Sequence, residues 1–450
     1  MNLLSQLVLR LSLAWRRGAL FIIFLFFISS GHSQIPVVGV VKGLSDSALL
    51  DVVQRQTFRY FWDFAHPVSN LSRERSNVAY NYGNEVVTSG GTGFGIMSVI
   101  VATERKWVGR DTAAKFLLKM VNFLLKSDSY HGVFPHWLDG ATGKTIRFSR
   151  KDDGADLVET SYLFQGLLCA RQYFNGTSQV ERELRNRISW MWNDIEWNWF
   201  TKGGEEVLYW HWSPNNGWAM NFPVRGYNEC LIMYILAASG ERYPVSEVVY
   251  HRGWAQSNFF KNGNTYYGFK QPLGFDYGGP LFFAHYSFLG LDPRGLKDRY
   301  ADYWEQNKNH TLINRAYCVE NPKKFKGYGE NTWGLTASDD YKGYDAHSPT
   351  NDDGCISPTA ALSSFPYTPE YSMQALKHFY YDLGDKIWTE YGFVDAFNES
   401  RNWYAKSHLA IDQGPIIVMI ENYRSGLLWK LFMSCPEIQK GLKKLGFEQK

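Results

Sequence analysis

The sequence predicts an all-α fold, a single (α/α)6 toroid in which six helical hairpins form a double ring. Helical periodicity recurs through nearly the whole chain, short and long loops alternate between the periodic segments, and no linker or charge block follows residue 40. An open superhelix of hairpins is the alternative, but it would require an internal repeat, and none is found. The candidate helices lie at residues 46–64, 92–106, 111–126, 153–174, 179–195, 226–240, 245–257, 281–290, 298–319, 357–364, 369–384 and 414–433.

The chain is rich in aromatic residues. Of its 450 residues, 45% are hydrophobic and 17% are aromatic, which is enough for a large core and above ordinary aromatic usage. Such side chains fill a core or line a groove that binds flat apolar faces, such as those of a sugar ring. The long loops share this composition, as in EWNWFTKGGEEVLYWHWSPNNGWAMNFPVRGY, and long aromatic loops are more typical of function than of structural filler.

Residues 1–33 differ from the rest of the chain. Three arginines precede the apolar run ALFIIFLFFIS, and Gly31 and Ser33 are placed for cleavage before Gln34. This order predicts a signal peptide at 1–33, followed by one domain at 34–450 that is exported to the periplasm. An uncleaved membrane anchor is the alternative, although the apolar run is short for a membrane-spanning helix.

The charge balance argues against two classes of partner. Residues 1–33 contain three arginines and no acidic residue, so their removal takes the formal net charge from +3 to zero. A neutral chain gives no electrostatic reason to expect nucleic acid, or a membrane once the signal peptide is cleaved. The cysteines are odd in number and show no CxxC spacing, which predicts buried thiols with one disulfide possible and zinc not expected. They are Cys169, Cys230, Cys318, Cys355 and Cys435.

The stretch RKDDGADLVETSYLFQGLL carries three carboxylates at spacings of four and three. On a helix, Asp152, Asp156 and Glu159 would share one face and repel one another unless a polar group lay against them. An N-cap at Asp153 with an acidic first turn is the purely structural interpretation. One helix face cannot supply the two opposing carboxyl groups of a glycoside hydrolase, so the stripe would bind sugar hydroxyls or tune another acid.

Two further carboxylates are candidates for the opposing positions. Glu229 is predicted in the first turn of an apolar helix, and Asp412 just before another. An N-cap at Asp412 and a favourable helix-dipole position for Glu229 are the structural alternatives. In a closed ring of six hairpins, the two residues would face each other across the central cavity.

Other features discriminate less. The sequence TNDDGCIS lacks the full pattern of a calcium loop, and His136, His285 and His347 show no ligand spacing, so no metal and no cofactor are expected. No GxSxG or P-loop is present. Several loop tryptophans are candidate stacking platforms for sugars, with burial in the core as the alternative. They are Trp137, Trp210, Trp212, Trp218 and Trp333.

Six motifs together resemble the bacterial glucoamylase-like proteins of glycoside hydrolase family 144. They are GGTGFGIMSVIVATERKW, GVFPHWLDGATGK, DDGADLVETSYLFQGLL, NTWGLTASD, YGFVDAFN and IDQGPIIVMIENYRSGLLWKLF. The likeness covers about residues 45 to 440. It implies an (α/α)6 toroid and inverting hydrolysis of β-1,2-glucan, either inside the chain or by release of sophorose from an end.

The resemblance also assigns roles to residues. It implies that Glu229 and Asp412 are catalytic and that Asp152, Asp156 and Glu159 bind substrate. The prediction is then an exported β-1,2-glucanase that needs no cofactor. Another glucan hydrolase or a lyase on the same toroid, and a non-catalytic glycan-binding protein, are the alternatives. The further residues expected to bind the glucan are His136, Trp137, Arg225, Trp333 and Tyr391.

Overall fold

The computed structural model describes residues 35–77 and 83–449. The chain divides into two compact units, residues 1–36 and 37–450, and all that follows concerns the second. The predicted signal peptide lies outside the described residues. Within the described part of the chain, no helix combines the length and the apolar character needed to cross a membrane.

The second unit is rich in helices. The described residues form thirteen α-helices, and short 3-10 or π turns replace the predicted helices at 245–257 and 281–290. The helices are α1 Asp46–Trp62, α2 Ser89–Glu104, α3 Arg110–Leu124, α4 Leu157–Tyr173, α5 Gln179–Asp194, α6 Leu231–Ser239, α7 Tyr303–Glu320, α8 Pro358–Leu362, α9 Pro369–Lys377, α10 Gly384–Ile387, α11 Ala410–Ser425, α12 Leu427–Met433 and α13 Pro436–Lys444.

The helices form two layers. In α2, α4, α6 and α8 nearly every residue is buried, because these segments are apolar or small around their whole circumference. The first half of α11 is equally buried, and it packs on α1, α2 and α8. In contrast, α3 and α5 bury one face only and pack against each other on the outside of the buried helices.

The two inner helices α2 and α4 approach each other unusually closely. A Cβ built on Gly93 would lie 2.1 Å from the carbonyl oxygen of Tyr162, and one built on Gly166 would lie 2.1 Å from the carbonyl oxygen of Gly93. Only glycine fits where two backbones meet at this distance. The contact fixes α4 relative to α2, and α4 carries the acidic motif.

The long loops contain strands that the all-α prediction missed, because strands of two to four residues are too short to show alternation. All described pairings are antiparallel, and they order the sheets as β1-β2-β3, β4-β5, β6-β7, β8-β15, β9-β10, β11-β12 and β13-β14. The strands are β1 Val86–Thr88, β2 Trp137–Asp139, β3 Thr145–Ile146, β4 Ala155–Asp156, β5 His211–Trp212, β6 Thr265–Tyr266, β7 Phe269–Lys270, β8 Leu296–Lys297, β9 Ala337–Asp340, β10 Gly343–Ala346, β11 Trp388–Thr389, β12 Gly392–Phe393, β13 Phe397–Asn398, β14 Trp403–Tyr404 and β15 Glu448–Gln449.

Candidate active site

A cavity that is partly open to solvent lies where several inner helices begin. Its wall includes Thr88 at the start of α2, Glu159 in the first turn of α4, Glu229 just before α6 and Ile411 in the first turn of α11. The N-terminal end of a helix carries partial positive charge, so carboxylates are favoured there. The geometry therefore concentrates acidic groups at one end of the inner layer.

Asp156 is the N-cap of α4. Its Oδ1 accepts hydrogen bonds from the backbone N–H of Glu159 and from Nε1 of Trp210, both at 2.9 Å, and its Oδ2 is 3.0 Å from Nδ1 of His136. Burial by itself would raise the pKa of Asp156, but the hydrogen bond and charge of His136 outweigh burial and lower it. Asp156 is therefore ionised and holds His136 in place.

Glu159 lies one turn further along α4 and reaches the cavity. Its Oε2 accepts hydrogen bonds from the backbone N–H of Gly90 at 2.9 Å and from the hydroxyl of Thr88 at 3.3 Å. Burial, reinforced by the negative charge of Asp156, raises its pKa to about 7.

His136 forms the opposite half of this charge pair. Its burial would lower the pKa of the ring, but the negative charges of Glu159 and Asp156 raise that pKa to about 9. Within the cavity wall a cationic imidazole thus lies beside the two carboxyl groups of α4.

Glu229 lies in a turn that ends where α6 begins at Leu231, and not inside the helix as predicted. The hydroxyl of Ser287 donates a hydrogen bond to the backbone carbonyl of Glu229 and anchors this turn. The side chain is half-buried and lines the cavity. Burial, with a smaller contribution from the negative charge of Glu159, raises the pKa of Glu229 to about 7.

Asp412 lies inside the first turn of α11 and not before it as predicted, because the helix begins at Ala410. It is 2% exposed, and its Oδ1 is 3.4 Å from the hydroxyl of Tyr286, which itself lines the cavity. Asp412 is therefore one side chain behind the wall. Burial raises its pKa to about 7, so the N-terminal position in the helix does not keep it strongly acidic as expected.

Asp395, which sequence reasoning did not identify, lies against Asp412. The two carboxyl groups share a hydrogen bond, and burial together with the charge of Asp412 raises the pKa of Asp395 well above its usual value. The other oxygen of Asp395, Oδ2, accepts a hydrogen bond from the backbone N–H of Asp339 at 2.7 Å. Two adjacent carboxyl groups cannot both ionise readily, so this pair retains a proton.

An arginine balances the acidic wall on the side of Asp412. Nε of Arg75 is 2.9 Å from Oε2 of Glu74, and Nη1 of Arg75 is 3.1 Å from Oδ2 of Asp339. Burial raises the pKa of Glu74 although Arg75 opposes this shift. Both Glu74 and Arg75 line the cavity, and neither was predicted, because an adjacent Glu-Arg pair in a loop is an ordinary sequence feature.

Aromatic rings form the remaining wall. Phe148 stacks on His136 with ring centroids 4.1 Å apart and meets Trp137 edge-on at 4.9 Å. Trp210, which donates a hydrogen bond to Asp156, and Tyr344 also line the cavity. Flat apolar faces beside acidic hydrogen-bond acceptors match the surface of a sugar.

Five residues predicted to bind substrate lie outside the cavity wall: Asp156, the N-cap of α4, and Asp152, Arg225, Tyr391 and Trp333. Asp152 is buried with Oδ2 3.2 Å from Nε2 of His211, Arg225 donates to the backbone carbonyl of Gly253, and Tyr391 packs on Phe64. Trp333 is 0% exposed and is a core residue. Its prediction as a stacking platform is wrong, because the loop that carries it turns inward.

Trp212 and Trp218 also pack against other rings and do not line the cavity. Five cavity rings that the sequence did not reveal come from four separate segments: Phe148, Tyr162, Phe282, Tyr286 and Tyr344. No spacing rule could connect them.

One group near the cavity has the composition of a metal site. Ligand atoms of His136, Asp152 and Asp156 lie within 4.8 Å of one another. Each carboxylate already faces an imidazole, Asp156 that of His136 and Asp152 that of His211. Ion pairing within the protein therefore accounts for the arrangement.

The chain is similar to proteins of known structure along nearly its whole second unit. The family model Glycoamylase, described as "Putative glucoamylase", matches residues 221–436. A crystal structure of a "putative glucoamylase" from Bacteroides uniformis is 62% identical with a TM-score of 0.89, covering 91% of this chain and 99% of that one. An endo-β-1,2-glucanase from Chitinophaga pinensis, solved with sophorotriose and glucose, is 57% identical with a TM-score of 0.88, covering 90% and 99%.

A curated relative is similar at the level of sequence. The exo β-1,2-glucooligosaccharide sophorohydrolase (non-reducing end) of Parabacteroides distasonis is 45% identical over 441 residues, which are 93% of this chain and 61% of that protein. The chain thus spans about three-fifths of the length of this relative.

Proposed function

Because the chain belongs to the glucoamylase-like family, we propose that it is a glycoside hydrolase that cleaves β-1,2-glucan to sophorose or short sophorooligosaccharides. One observation carries the proposal: Glu159 and Glu229 line a cavity with aromatic walls, and burial raises the pKa of each to about 7. A carboxyl group that holds a proton near neutral pH is what glycosidic cleavage requires of its acid. One similar protein is named for exo action and another for endo action. The proposal therefore covers both sophorose and longer sophorooligosaccharides as products.

The proposed reaction is an inverting hydrolysis with Glu229 as general acid and Asp412 as general base. Glu229 protonates the leaving glycosidic oxygen, directly or through an intervening hydroxyl or water. Asp412 accepts the proton of the attacking water on the other face of the sugar through Tyr286, whose hydroxyl takes a proton from the water as it passes its own to Asp412.

The pairing of Asp412 with Asp395 supports the assignment of the base. Asp395 takes the proton of the pair because its pKa is raised well above its usual value, so Asp412 ionises near pH 7 with a hydrogen bond from its neighbour. Tyr286 connects the carboxylate to the cavity through its hydroxyl.

The acidic residues of α4 have a supporting role in this scheme. Glu159 contributes the negative charge that helps to keep Glu229 protonated, and Asp156 fixes the orientation of His136. We assign substrate binding to Glu159, His136 and Trp137, which line the cavity, and positioning to Asp156, which lies behind it.

We also propose that the inner layer closes into the inner ring of an (α/α)6 toroid. The segment 281–288 meets the turn that follows α8 through a contact of 3.0 Å between His285 Nε2 and Ser364 Oγ, and the hydroxyl of Thr359 in α8 donates to the backbone carbonyl of Asp412 in α11. Six inner segments would then follow one another as neighbours: α2, α4, α6, 281–288, α8 and α11.

Export to the periplasm is the third part of the proposal, and it is supported by the order of basic, apolar and small residues at 1–33. N-terminal sequencing of protein from the native host tests it. We expect the chain to begin near Gln34, and soluble protein that starts at Met1 would contradict export.

Product analysis tests the activity itself. Wild-type protein is incubated with β-1,2-glucan, starch and laminarin, and the products are separated by chromatography. We expect sophorose or sophorooligosaccharides from β-1,2-glucan alone, with the new reducing end first in the α configuration by NMR. Cleavage of starch or laminarin with no action on β-1,2-glucan would contradict the substrate, and a first product in the β configuration would contradict inversion.

A further inference from the structure

A second polar cluster lies outside the cavity wall, in the segment between β10 and α8. One ligand atom from each of His347, Asp353 and Cys355 lies within 4.8 Å of the other two. His347 and Cys355 are each 1% exposed, and none of the three residues lines the cavity. A nitrogen, an oxygen and a sulfur ligand thus converge in the interior.

The cluster contains polar atoms that its neighbours satisfy incompletely. The Cys355 thiol and the Asp353 carboxylate share a hydrogen bond, and Nδ1 of His347 lies 3.5 Å from Oδ1 of Asp353, which is inaccessible to solvent. Nε2 of His347 is equally buried and lies 3.9 Å from Oδ2 of Asp340. Buried polar groups almost always have partners, so a cluster of this kind requires an explanation.

We propose that His347, Asp353 and Cys355 bind a zinc ion through Nδ1, a carboxylate oxygen and the thiolate. Zinc takes this mixture of nitrogen, oxygen and sulfur ligands. Ligand atoms around a tetrahedral zinc ion are about 3.3 to 3.8 Å apart, as follows from bond lengths of about 2.0 to 2.3 Å. The distance from His347 Nδ1 to Asp353 Oδ1, 3.5 Å, already lies in that range. Side-chain rotation would bring the sulfur of Cys355 to the same distance from both atoms.

The neighbours of these three residues fit those of a metal site. A histidine that binds metal through one nitrogen usually donates the other N–H to a carboxylate, and Asp340 is placed to accept it from Nε2. Nδ2 of Asn398 is 3.6 Å from Sγ of Cys355 and 3.1 Å from the backbone carbonyl of Asp353. Lys342 lies 3.4 Å from the second oxygen of Asp353, Oδ2, and leaves Oδ1 for the metal.

The ion would have a structural role. The β9–β10 hairpin, residues 337–346, contributes Ala337 and Tyr344 to the cavity wall and leads directly to His347. Asp353 and Cys355 lie just before α8. A zinc ion would therefore tie the end of the hairpin to the start of α8, and on binding Cys355 would release its thiol proton to solvent.

Metal analysis of the tag-free full-length protein tests the proposal. The protein is stripped with a chelator, reloaded with Zn²⁺, dialysed and measured by plasma mass spectrometry. We expect about one zinc ion per chain. Replacing Zn²⁺ with Co²⁺ should produce the near-ultraviolet charge-transfer band of a cobalt–thiolate bond, and loss of that band in Cys355→Ser would assign the sulfur.

The matched control is Cys169→Ser, which makes the same change at a buried cysteine between α4 and α12. We expect it to keep the cobalt band and the zinc, while His347→Ala and Cys355→Ser weaken zinc binding by more than about tenfold. If these two variants fail to fold, Asp340→Asn should still weaken zinc binding about tenfold. This change removes only the carboxylate that faces Nε2 of His347 and leaves the three ligands in place. A wild-type chain that retains no zinc, or equal zinc binding in His347→Ala, would overturn the proposal.

Discussion

Glu229 is exposed to the cavity and yet retains a proton near neutral pH. Burial accounts for most of the shift of its pKa to about 7, and Glu159 adds negative charge from the neighbouring helix. The sequence places a glutamate before an apolar segment, but it cannot show that α4 brings a second carboxyl group towards it. The assignment of Glu229 as the acid therefore depends on a contact between two distant parts of the chain.

Glu229→Gln should lower the rate of β-1,2-glucan cleavage by about 10² to 10⁴-fold, because glutamine cannot donate the proton that the leaving oxygen needs. A substrate whose leaving group needs no proton should retain measurable activity. Steady-state kinetics on both substrates provide the measurement, with circular dichroism to verify the fold.

Glu241→Gln is the matched control, since Glu241 is exposed and lies outside the cavity. The same chemical change there should leave both rates near wild type. Near-normal glucan turnover in Glu229→Gln would contradict its role as acid.

The charge of His136 sets the ionisation of the acidic motif. The pKa of its ring is raised to about 9, so the imidazole is cationic at neutral pH and lowers the pKa of both Asp156 and Glu159. Asp156 is needed in its ionised form if it is to orient His136 against the cavity. Asp156 therefore stays ionised until well below neutral pH, whereas burial outweighs the charge of His136 at Glu159 and leaves its pKa at about 7.

His136→Gln should move the alkaline limb of the kcat/KM profile to lower pH by up to about one unit. Loss of the cation raises the pKa of Glu159, so Glu159 carries less of the negative charge that helps to keep Glu229 protonated. The pH dependence of kcat/KM measures the shift. His131→Gln, at a histidine that stacks on Trp199 outside the cavity, should leave the limb in place; an unchanged limb in His136→Gln would contradict the argument.

At the scale of the element, the position of α4, and so of the acidic residues at its start, depends on its contact with α2. Backbones that meet at Gly93 and Gly166 leave no room for a Cβ at either position. Glu159 lies about two turns before Gly166 on the same helix, so any displacement of α4 moves Asp156 and Glu159 together. Helix packing and the geometry of the acids are therefore linked.

Gly166→Ala should destabilise the protein by about 2 to 4 kcal/mol, because the added methyl group would collide with the backbone of α2 and the two helices would have to separate. Denaturant-induced unfolding measures the free energy. Gly109→Ala is the control, since a Cβ there meets only the hydroxyl of Thr112 at 3.8 Å. Equal free energies of unfolding for the two variants would contradict the prediction, since they would show that α2 and α4 leave room for a methyl group at residue 166.

At the scale of the whole molecule, the buried acidic cluster makes stability depend on pH. The pKa of Glu159 and of Glu229 rises from 4.5 to about 7 on folding, and that of His136 from 6.5 to about 9. Between pH 4.5 and 9 the folded chain therefore binds more protons at these sites than the unfolded chain does. Stability from these groups then falls as pH rises through that window.

The melting temperature should consequently be higher at pH 5.5 than at pH 8.5. Glu159→Gln removes one of the titrating groups, so its melting temperature should change less between the two pH values, whereas Glu241→Gln should behave as wild type. Differential scanning calorimetry across the window gives the comparison. A melting temperature that rises from pH 5.5 to 8.5 in the wild type would contradict the prediction, because groups other than Glu159, Glu229 and His136 would then control the pH dependence of stability.

The sequence by itself identified the helical character, the order of the main helices and the carboxylates Asp156, Glu159, Glu229 and Asp412 as candidate site residues. These features are local, because periodicity and helix starts are written in neighbouring residues. The boundaries were less accurate where the chain forms π or 3-10 turns, as at Val249–Trp254, because such turns share the apolar pattern of a helix.

Only the tertiary structure decided which side chains meet. It paired Asp395 with Asp412, placed Phe148 over His136, buried Trp333 in the core and brought His347, Asp353 and Cys355 together. These contacts join segments that no spacing rule connects, and a pKa depends on burial and on charges that arrive from elsewhere in the chain. The chemistry of the carboxylates is thus encoded by the sequence, while their state of protonation is set by the packing of helices around them.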